Sequence, residues 1–461
     1  MPDTSYLFDH ALLAAGWARD VRIDVSEGTI TRVTVDAPRQ DPRDKGARHV
    51  AGLAIPGMPN LHCHAFQRGM AGLAERRGPA HDSFWHDSFW TWREVMYRFL
   101  ARLTPDDAEA IAAFAYMQML EAGFTAVGEF HYLHHDIDGR AYADIGEMAA
   151  RIAAAAGAAG IGLTLLPALY IYGGFGGAAP NEGQKRFLND PDRYAALLAR
   201  AQAIVQVLPD ARVGIAPHSL RAVTPQALRD AVAAHGNGPI HIHAAEQTKE
   251  VADCIAALGA TPVAWLLDHA GVDRRWCLIH ATHMTADETE RLAHCGAVAG
   301  LCPLTEGSLG DGIFNGAEFF QLGGRFGVGS DSNIEIGAAV ELRMLEYSQR
   351  LRRHTRNVFA HDGESTGTRI YLEALQGGAQ ALGRSIGAIA PGRRADIVVL
   401  DAGYPDVSRI ESALDAYVFV AGEKLVQHTI VGGELVVADG WHVRHDAITA
   451  RYRKTMDRLT G

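Results

Sequence analysis

Cysteine is scarce and scattered, with five residues in 461 (Cys63, Cys254, Cys277, Cys295, Cys302) and no Cys-x-x-Cys pair. That excludes a disulfide framework and points to a reducing compartment. No uncharged apolar run reaches the roughly 20 residues of a membrane span. The Ala-rich stretch from Ile152 to Leu166 comes closest, but glycines interrupt it and Pro167 ends it. The first twenty residues lack a basic segment followed by a long apolar one, so no signal peptide is expected and the cytoplasm is the expected location. Positive charge is in deficit, 43 Lys plus Arg against 54 Asp plus Glu, for a formal charge of −11. This argues against a sequence-independent grip on nucleic acid while leaving local basic pockets open. The glycine loop Gly173–Gly177 is not followed by Gly-Lys-Ser/Thr, so it does not read as a nucleotide cradle. Repeats of 20 to 50 residues are absent. Hydrophobic residues at 48% and charged residues at 21% exclude disorder and fibrous architecture and allow a large buried core. Histidine, at 22 residues, is the unusual abundance.

The first 55 residues read as short strands, with alternation over Val21–Val25 and Thr29–Val35 and an apolar run, Leu53–Ile55, stopped by Pro56-Gly57. The C-terminal segment reads the same way: Ala395–Asp401, Tyr417–Val420, Lys424–Val431 and Glu434–Ala438, with Gly432-Gly433 as a hairpin turn. These ends are expected to pair into one small discontinuous β-sandwich, residues 1–56 plus 386–461. Between them, over 57–385, apolar runs alternate with helical patterns: the run before Leu61, then 125–130, 160–168, 212–216, 240–244, 277–280, 297–301 and 325–329. Eight such units predict an α/β fold, a TIM-like (β/α)8 barrel with long loops; an open doubly wound sheet is the alternative. A tandem repeat, His81–Trp85 copied as His86–Trp90, falls in the first long loop. It reads equally well as an aromatic lid or as surface packing.

Barrel chemistry sits at the C-terminal ends of strands. Strand one ends in His62-Cys63-His64, whose alternation points both imidazoles the same way, as a divalent transition metal requires. Strand five carries His241-Ile242-His243-Ala244-Ala245-Glu246, where either histidine supplies a third nitrogen and Glu246 reaches a metal-held water from the turn. Strand six ends at His280, and strand eight places Asp331 at the mouth. Each alone is an ordinary buried polar group. Together they are costly to bury unless paired or bound to metal. His131, His134 and His135 near strand two read as structural, His269, His283 and His294 as surface or packing, and Arg76-Arg77 as surface.

Pro56–His64, His243–Glu246, His280, Ser330-Asp331-Ser332 and Gly387–Val398 together resemble the amidohydrolase superfamily, in its cytosine/guanine deaminase and chlorohydrolase-like branch, across nearly the whole chain. Within it, His62–Arg68, Glu129–His135, Pro217–Val223 and His241–Gln247 are similar to the formiminoglutamate deiminases of histidine degradation. The resemblance implies hydrolysis of N-formimino-L-glutamate to N-formyl-L-glutamate and ammonia. Strand four, Gly214–His218, has no lysine to carry a bridging carbamate, so one divalent ion is expected, zinc first and ferrous iron second. The implied ligands are His62, His64, His243 and Asp331, with one position left for water. Glu246, His280 and Asp331 are the implied catalytic groups. Arg93 and Arg221 are the implied clamps for the two substrate carboxylates, with Gln67, Tyr132 and His218 as neutral partners. The expected partner is a small dicarboxylate, with neither nucleic acid nor membrane, and a homodimer is the candidate assembly. The alternatives are an aromatic-base deaminase on the same scaffold, release of the formimino group as formamide, and a non-catalytic binding protein.

Overall fold

The computed structural model describes residues 3–38, 46–76, 88–407 and 409–461. Arg77 and the tandem repeat as far as Asp87 lie outside the described residues. Four strands open the chain, β1 (Thr4–Leu13), β2 (Gly16–Ser26), β3 (Thr29–Thr34) and β4 (Ala47–Pro56). Nine form the central sheets: β5 (Met58–Cys63), β6 (Phe124–His131), β7 (Gly162–Leu169), β8 (Arg212–Val213), β9 (Ala216–Pro217), β10 (Ile240–Ala244), β11 (Trp276–His280), β12 (Val298–Leu301) and β13 (Arg325–Val328). The last four are β14 (Ile397–Leu400), β15 (Val426–Val431), β16 (Glu434–Ala438) and β17 (Trp441–His442).

The central strands are parallel and run in chain order as two sheets, β5-β6-β7-β8 with β9 on β7, and β10-β11-β12-β13. Parallel bridges Ile215–Ile240 and Ser219–His243 join them at one seam, and Cys63–Asp331 joins them at the other. The eight apolar runs of the sequence thus occupy the eight staves of a TIM-like barrel. Their near-continuous burial is what a parallel sheet covered by helices demands. Helices begin where the sequence supplies caps. Thr104 and Asp107 form a reciprocal capping box around Pro105 for helix Pro105–Glu121, which leads into β6.

Both chain ends build one eight-stranded sheet, in the order β17-β16-β15-β14-β4-β1-β2-β3. Its far edge curls back: Ile30 N–H donates to the Arg393 carbonyl and Ala395 N–H to that of Gly28 (2.8 and 2.9 Å). The enclosed layer, with Phe8, Val21, Ile23, Ile397 and Ile430, is a separate core. Gly432 and Gly433, both left-handed (φ 55° and 79°), make the tight β15–β16 turn. Tyr417–Val420 is not a strand. It lies in a π-helical turn, Tyr417–Ala421, continuing helix Ala413–Ala416. Burial of Tyr417, whose hydroxyl donates to the Ala122 carbonyl at 3.2 Å, overrides the β propensity of an apolar run too short to show a period. The last residues are helical too: His445–Thr460 leaves the sheet and lies on helix Pro105–Glu121, with Tyr452 stacked on Phe114 at 3.9 Å. Among the described residues no single helix is long and apolar enough to cross a membrane.

Helix Thr366–Ala381 seats on β5 and β13 through Gly377 and Gly378. A Cβ at Gly377 would run into the Phe326 carbonyl, and one at Gly378 would lie 2.9 Å from the Pro59 Cβ. Gly377→Ala gains helix propensity of about 1 kcal/mol but overpacks a backbone contact, a strain of roughly 1–3 kcal/mol or more. The expected outcome is a lower thermal midpoint by scanning calorimetry. An unchanged or higher midpoint would refute the close seat.

Candidate metal centre and active site

Strand ends deliver the polar groups. His62, on β5, and His64, just beyond its end, both reach the Asp331 carboxylate. His243, near the end of β10, brings its Nε2 to 3.3 Å from that of His62. Asp331 Oδ1, just beyond β13, lies 3.3 Å from Nε2 of both His62 and His64. The ligand atoms of His62, His64 and His243 all fall within 4.8 Å of one another. Asp331 forms a second such cluster with His280 and Cys302, and its other oxygen, Oδ2, lies 3.9 Å from His280 Nε2.

The seam between β5 and β13 sets this register. Asp331 N–H donates to the His62 carbonyl and His64 N–H to the Asp331 carbonyl, both at 3.0 Å. Asn60 donates to Ser330 Oγ (2.7 Å), Ser330 Oγ donates to Asn333 Oδ1 (2.6 Å), and Asn333 Nδ2 donates to the His64 carbonyl (3.1 Å). Behind the seam, buried Glu129 accepts from Ala65 N–H at 3.0 Å and from the Tyr116 hydroxyl at 3.0 Å. Burial pushes its carboxyl up to about 7.

The donor set fits a divalent cation. His64 Nδ1–H is taken by the Phe130 carbonyl (2.9 Å) and His243 Nδ1–H by the His218 carbonyl (3.0 Å), which leaves each Nε2 as a bare lone pair. Burial holds His62 neutral, with its pKa pushed down to about 3. Burial works to raise the Asp331 carboxyl, but contact with the His62 imidazole, and with those of His64 and His280, holds it well below the usual range. Lone pairs converging on a carboxylate without protons between them repel, unless a cation lies at their focus. Either strand-five histidine was eligible by type; height along the strand decides. His241 lies two residues lower and donates from Nε2 to the Ala381 carbonyl at 2.8 Å.

Beside this cluster His280 Nε2 lies 3.7 Å from Glu246 Oε1 and 3.9 Å from Asp331 Oδ2, while Nδ1 faces Glu306 Oε1 at 3.3 Å. Burial pushes Glu246 up to about 7, against the pull of His280 and Arg221. Arg221 NH2 stands 3.9 Å from Glu246 Oε2 and lies beneath Phe89 and Trp90 (5.6 and 5.7 Å to the ring centroids). The Arg93 guanidinium sits 4.6 Å from the Trp90 ring centroid. One cavity is lined by Gln67, Arg93, Tyr132, His218 and Arg221 together with His64, His243, Glu246, His280 and Asp331. Gln67 donates to the Tyr132 hydroxyl at 2.8 Å.

Several lining groups went unread in the sequence. Tyr97 follows Arg93 by four residues on helix Phe89–Leu100 and so shares its face; Tyr170 immediately follows β7 and was open to the strand-end rule. Glu306, in the helix after β12, and Asp311, neither of them a lining residue, carried no such signal. Gln247 donates to Asp311, whose carboxyl is pushed up to about 9 by burial and the nearby Glu246 charge. His134 and His135 donate to the Ala168 and Leu188 carbonyls and do not line this cavity.

Comparison with known proteins follows the same lines. Residues 53–436 match the amidohydrolase family, and residues 9–45 match the N-terminal domain of formimidoylglutamate deiminase HutF. The chain is 48% identical to formimidoylglutamate deiminase of Pseudomonas aeruginosa over 98% of each chain. It is 28% identical to an 8-oxoguanine deaminase of the same organism, over 90% of this chain and 88% of that one. Among solved structures it is similar to an amidohydrolase from Brucella melitensis (TM-score 0.93, 49% identity, covering 99% and 100% of the two chains). It shares its fold with a zinc-bound adenosine deaminase from Xanthomonas campestris (TM-score 0.79, 22% identity, 99% and 98%). Amidohydrolase family members bind a divalent metal. A match running through the whole barrel and its flanking strands, with near-half identity from end to end, makes this chain a member of the amidohydrolase family.

Proposed function

We propose that the protein hydrolyses N-formimino-L-glutamate to N-formyl-L-glutamate and ammonia. The observation that carries this reading is that two arginines and the imidazole–carboxylate cluster line the same cavity. It is supported by 48% identity over the full length to the Pseudomonas aeruginosa deiminase. In this reading residues 57–385 are the catalytic unit, and 1–56 with 386–461 the small supporting domain.

His62, His64, His243 and Asp331 would hold one divalent ion, and zinc suits a nitrogen-rich site with one open position. When bound, such an ion supplies Lewis acidity, lowering the pKa of a water molecule toward about 7. The chain's own groups do the rest. Arg93 and Arg221 receive the two carboxylates, and Gln67, Tyr132 and His218 position the substrate between them and the reacting carbon. Asp331 Oδ2 accepts a proton from the attacking water, whose oxygen bonds to the formimino carbon. His280 Nε2, facing Asp331 and Glu246, orients that water and steadies the oxygen as it adds. Glu246, whose carboxyl burial raises so that it can carry a proton near neutral pH, gives that proton to the imino nitrogen. As the tetrahedral carbon collapses, Asp331 passes the proton it took from water to that nitrogen and Glu246 takes the hydroxyl proton, so the C–N bond breaks to leave a formyl carbonyl and ammonia with both carboxyl groups restored.

Incubation with N-formimino-L-glutamate should release ammonia and N-formylglutamate, identified by mass. Release of glutamate and formamide instead, or turnover of guanine, cytosine or adenosine with none of the formimino substrate, would overturn the reading. Exhaustive chelation should abolish ammonia release, and zinc should restore it. Full activity in the chelated protein would remove the metal from the scheme.

Glu246→Gln should keep the metal, measured by elemental analysis, and lower kcat by about 10²–10⁴-fold, the usual contribution of a general acid or base. A near-normal rate would exclude Glu246 from proton transfer. Arg221→Met loses a charge-assisted contact worth roughly 1.5–3 kcal/mol. It should act mainly on KM for the dicarboxylate, by about tenfold or more; unchanged kinetics would refute the clamp.

A further inference from the structure

Glu306 lies outside both the cavity lining and the ligand cluster, yet it is 5% exposed and bears on His280. It lies in helix Pro303–Leu309, which opens directly after β12. Its Oε1 accepts from the Cys302 backbone N–H at 2.9 Å and faces His280 Nδ1 at 3.3 Å. The first bond ties the carboxylate to the backbone of its own first turn, so the second is made by a group that cannot easily swing away. On the far side of the ring, Nε2 has no hydrogen-bond partner among the described residues and lies 3.7 Å from Glu246 Oε1 and 3.9 Å from Asp331 Oδ2.

We propose that Glu306 is the positioning residue for His280. An imidazole buried to 1% exposure can be turned half a revolution about its Cβ–Cγ bond without changing shape much. Only one of the two orientations presents nitrogen to the cavity. The carboxylate of Glu306 selects it, because Nδ1–H can donate to Oε1 whereas the ring carbon that replaces it after a flip cannot. The same contact keeps Nδ1–H as the donor to Glu306 and aims Nε2 at the attacking water. The backbone contributes as well: His280 and Ala281 are both left-handed (φ 69° and 48°), which turns the chain sharply at the end of β11. Backbone geometry thus sets where the ring is, and Glu306 sets which way it faces.

The inference rests on the deiminase reading for its assay. Glu306→Leu should lower kcat for ammonia release roughly ten- to hundredfold, the loss of one charge-assisted hydrogen bond, with KM within about twofold and metal content unchanged. Glu306→Gln keeps an acceptor oxygen and should recover to within about fivefold of the parent. In a His280→Ala background, Glu306→Leu should cost nothing further, because the group it acts through is gone. A leucine loss that persists in that background, a glutamine variant no better than leucine, or metal content falling in parallel with rate would each overturn the proposal. If Glu306→Leu does not fold, Glu306→Met, of similar length, carries the same comparison. A parent that releases no ammonia would count against the deiminase reading alone. The positioning role then stands or falls on the crystal structure of the leucine variant, where the His280 ring must leave its present orientation and an unmoved ring refutes it.

Discussion

Three imidazole nitrogens and a carboxylate oxygen, all buried and converging within a few ångströms, set the central constraint of this molecule. Without a cation among them, bare lone pairs face one another in a medium that screens poorly. The surroundings are arranged to maintain that convergence. Carbonyls of Phe130 and His218 occupy the outward nitrogens of His64 and His243. The Asn60–Ser330–Asn333 network locks the first and eighth staves in register. A slip of one residue there would turn His62 and His64 out of the barrel and carry Asp331 away. The barrel seam is therefore where closure of the fold and assembly of the site become the same requirement.

Much of this was legible in the sequence because parallel strands advertise themselves as short apolar runs and barrel chemistry collects at their ends. His62, His64, His280 and Asp331 stand at such ends, and Arg93 and Arg221 follow from resemblance. Type alone could not separate His241 from His243. They share a face, and the distinction is one of depth, settled by the Ala381 carbonyl that occupies His241. Tyr417–Val420 misled because an apolar run of four residues has no measurable period, and the docking site for the Tyr417 hydroxyl, the Ala122 carbonyl, is almost 300 residues away. The terminal helix escaped notice for a related reason: its partner surface, including Phe114, belongs to the barrel and not to neighbouring sequence. Glu306 gave no signal, since its meaning depends on where β11 and β12 bring His280.

Charge is distributed against the overall balance. A chain of net −11 buries Arg221 beside Glu246 and caps it with Phe89 and Trp90. An aromatic roof excludes water while its negative face tolerates the cation, so the guanidinium is kept poorly solvated until an anion arrives. Such a site favours a carboxylate strongly over a neutral ring, because leaving the arginine without an anionic partner forfeits the interaction for which it was desolvated. The same cavity offers a base deaminase little with which to read a purine edge: two cations share its lining with Tyr97, Tyr132 and Tyr170.

The cost of building this site is visible in the backbone. Ala245, His280, Ala281, Asp331 and Asn333 all adopt positive φ, from 42° to 69°, and all stand at the barrel mouth. None is glycine, so each carries strain of about 1–3 kcal/mol that must be offset elsewhere. The offset is local for Asp331 and Asn333, through their hydrogen bonds across the seam. It is local for Ala281 as well, whose N–H donates to the Ala244 carbonyl at 3.0 Å. Glycine at these positions would relieve the strain and lose the side chains, or the turn, on which the chemistry depends. Strand ends are thus where stability and activity compete most directly in this fold, and the network around them resolves the contest in favour of activity.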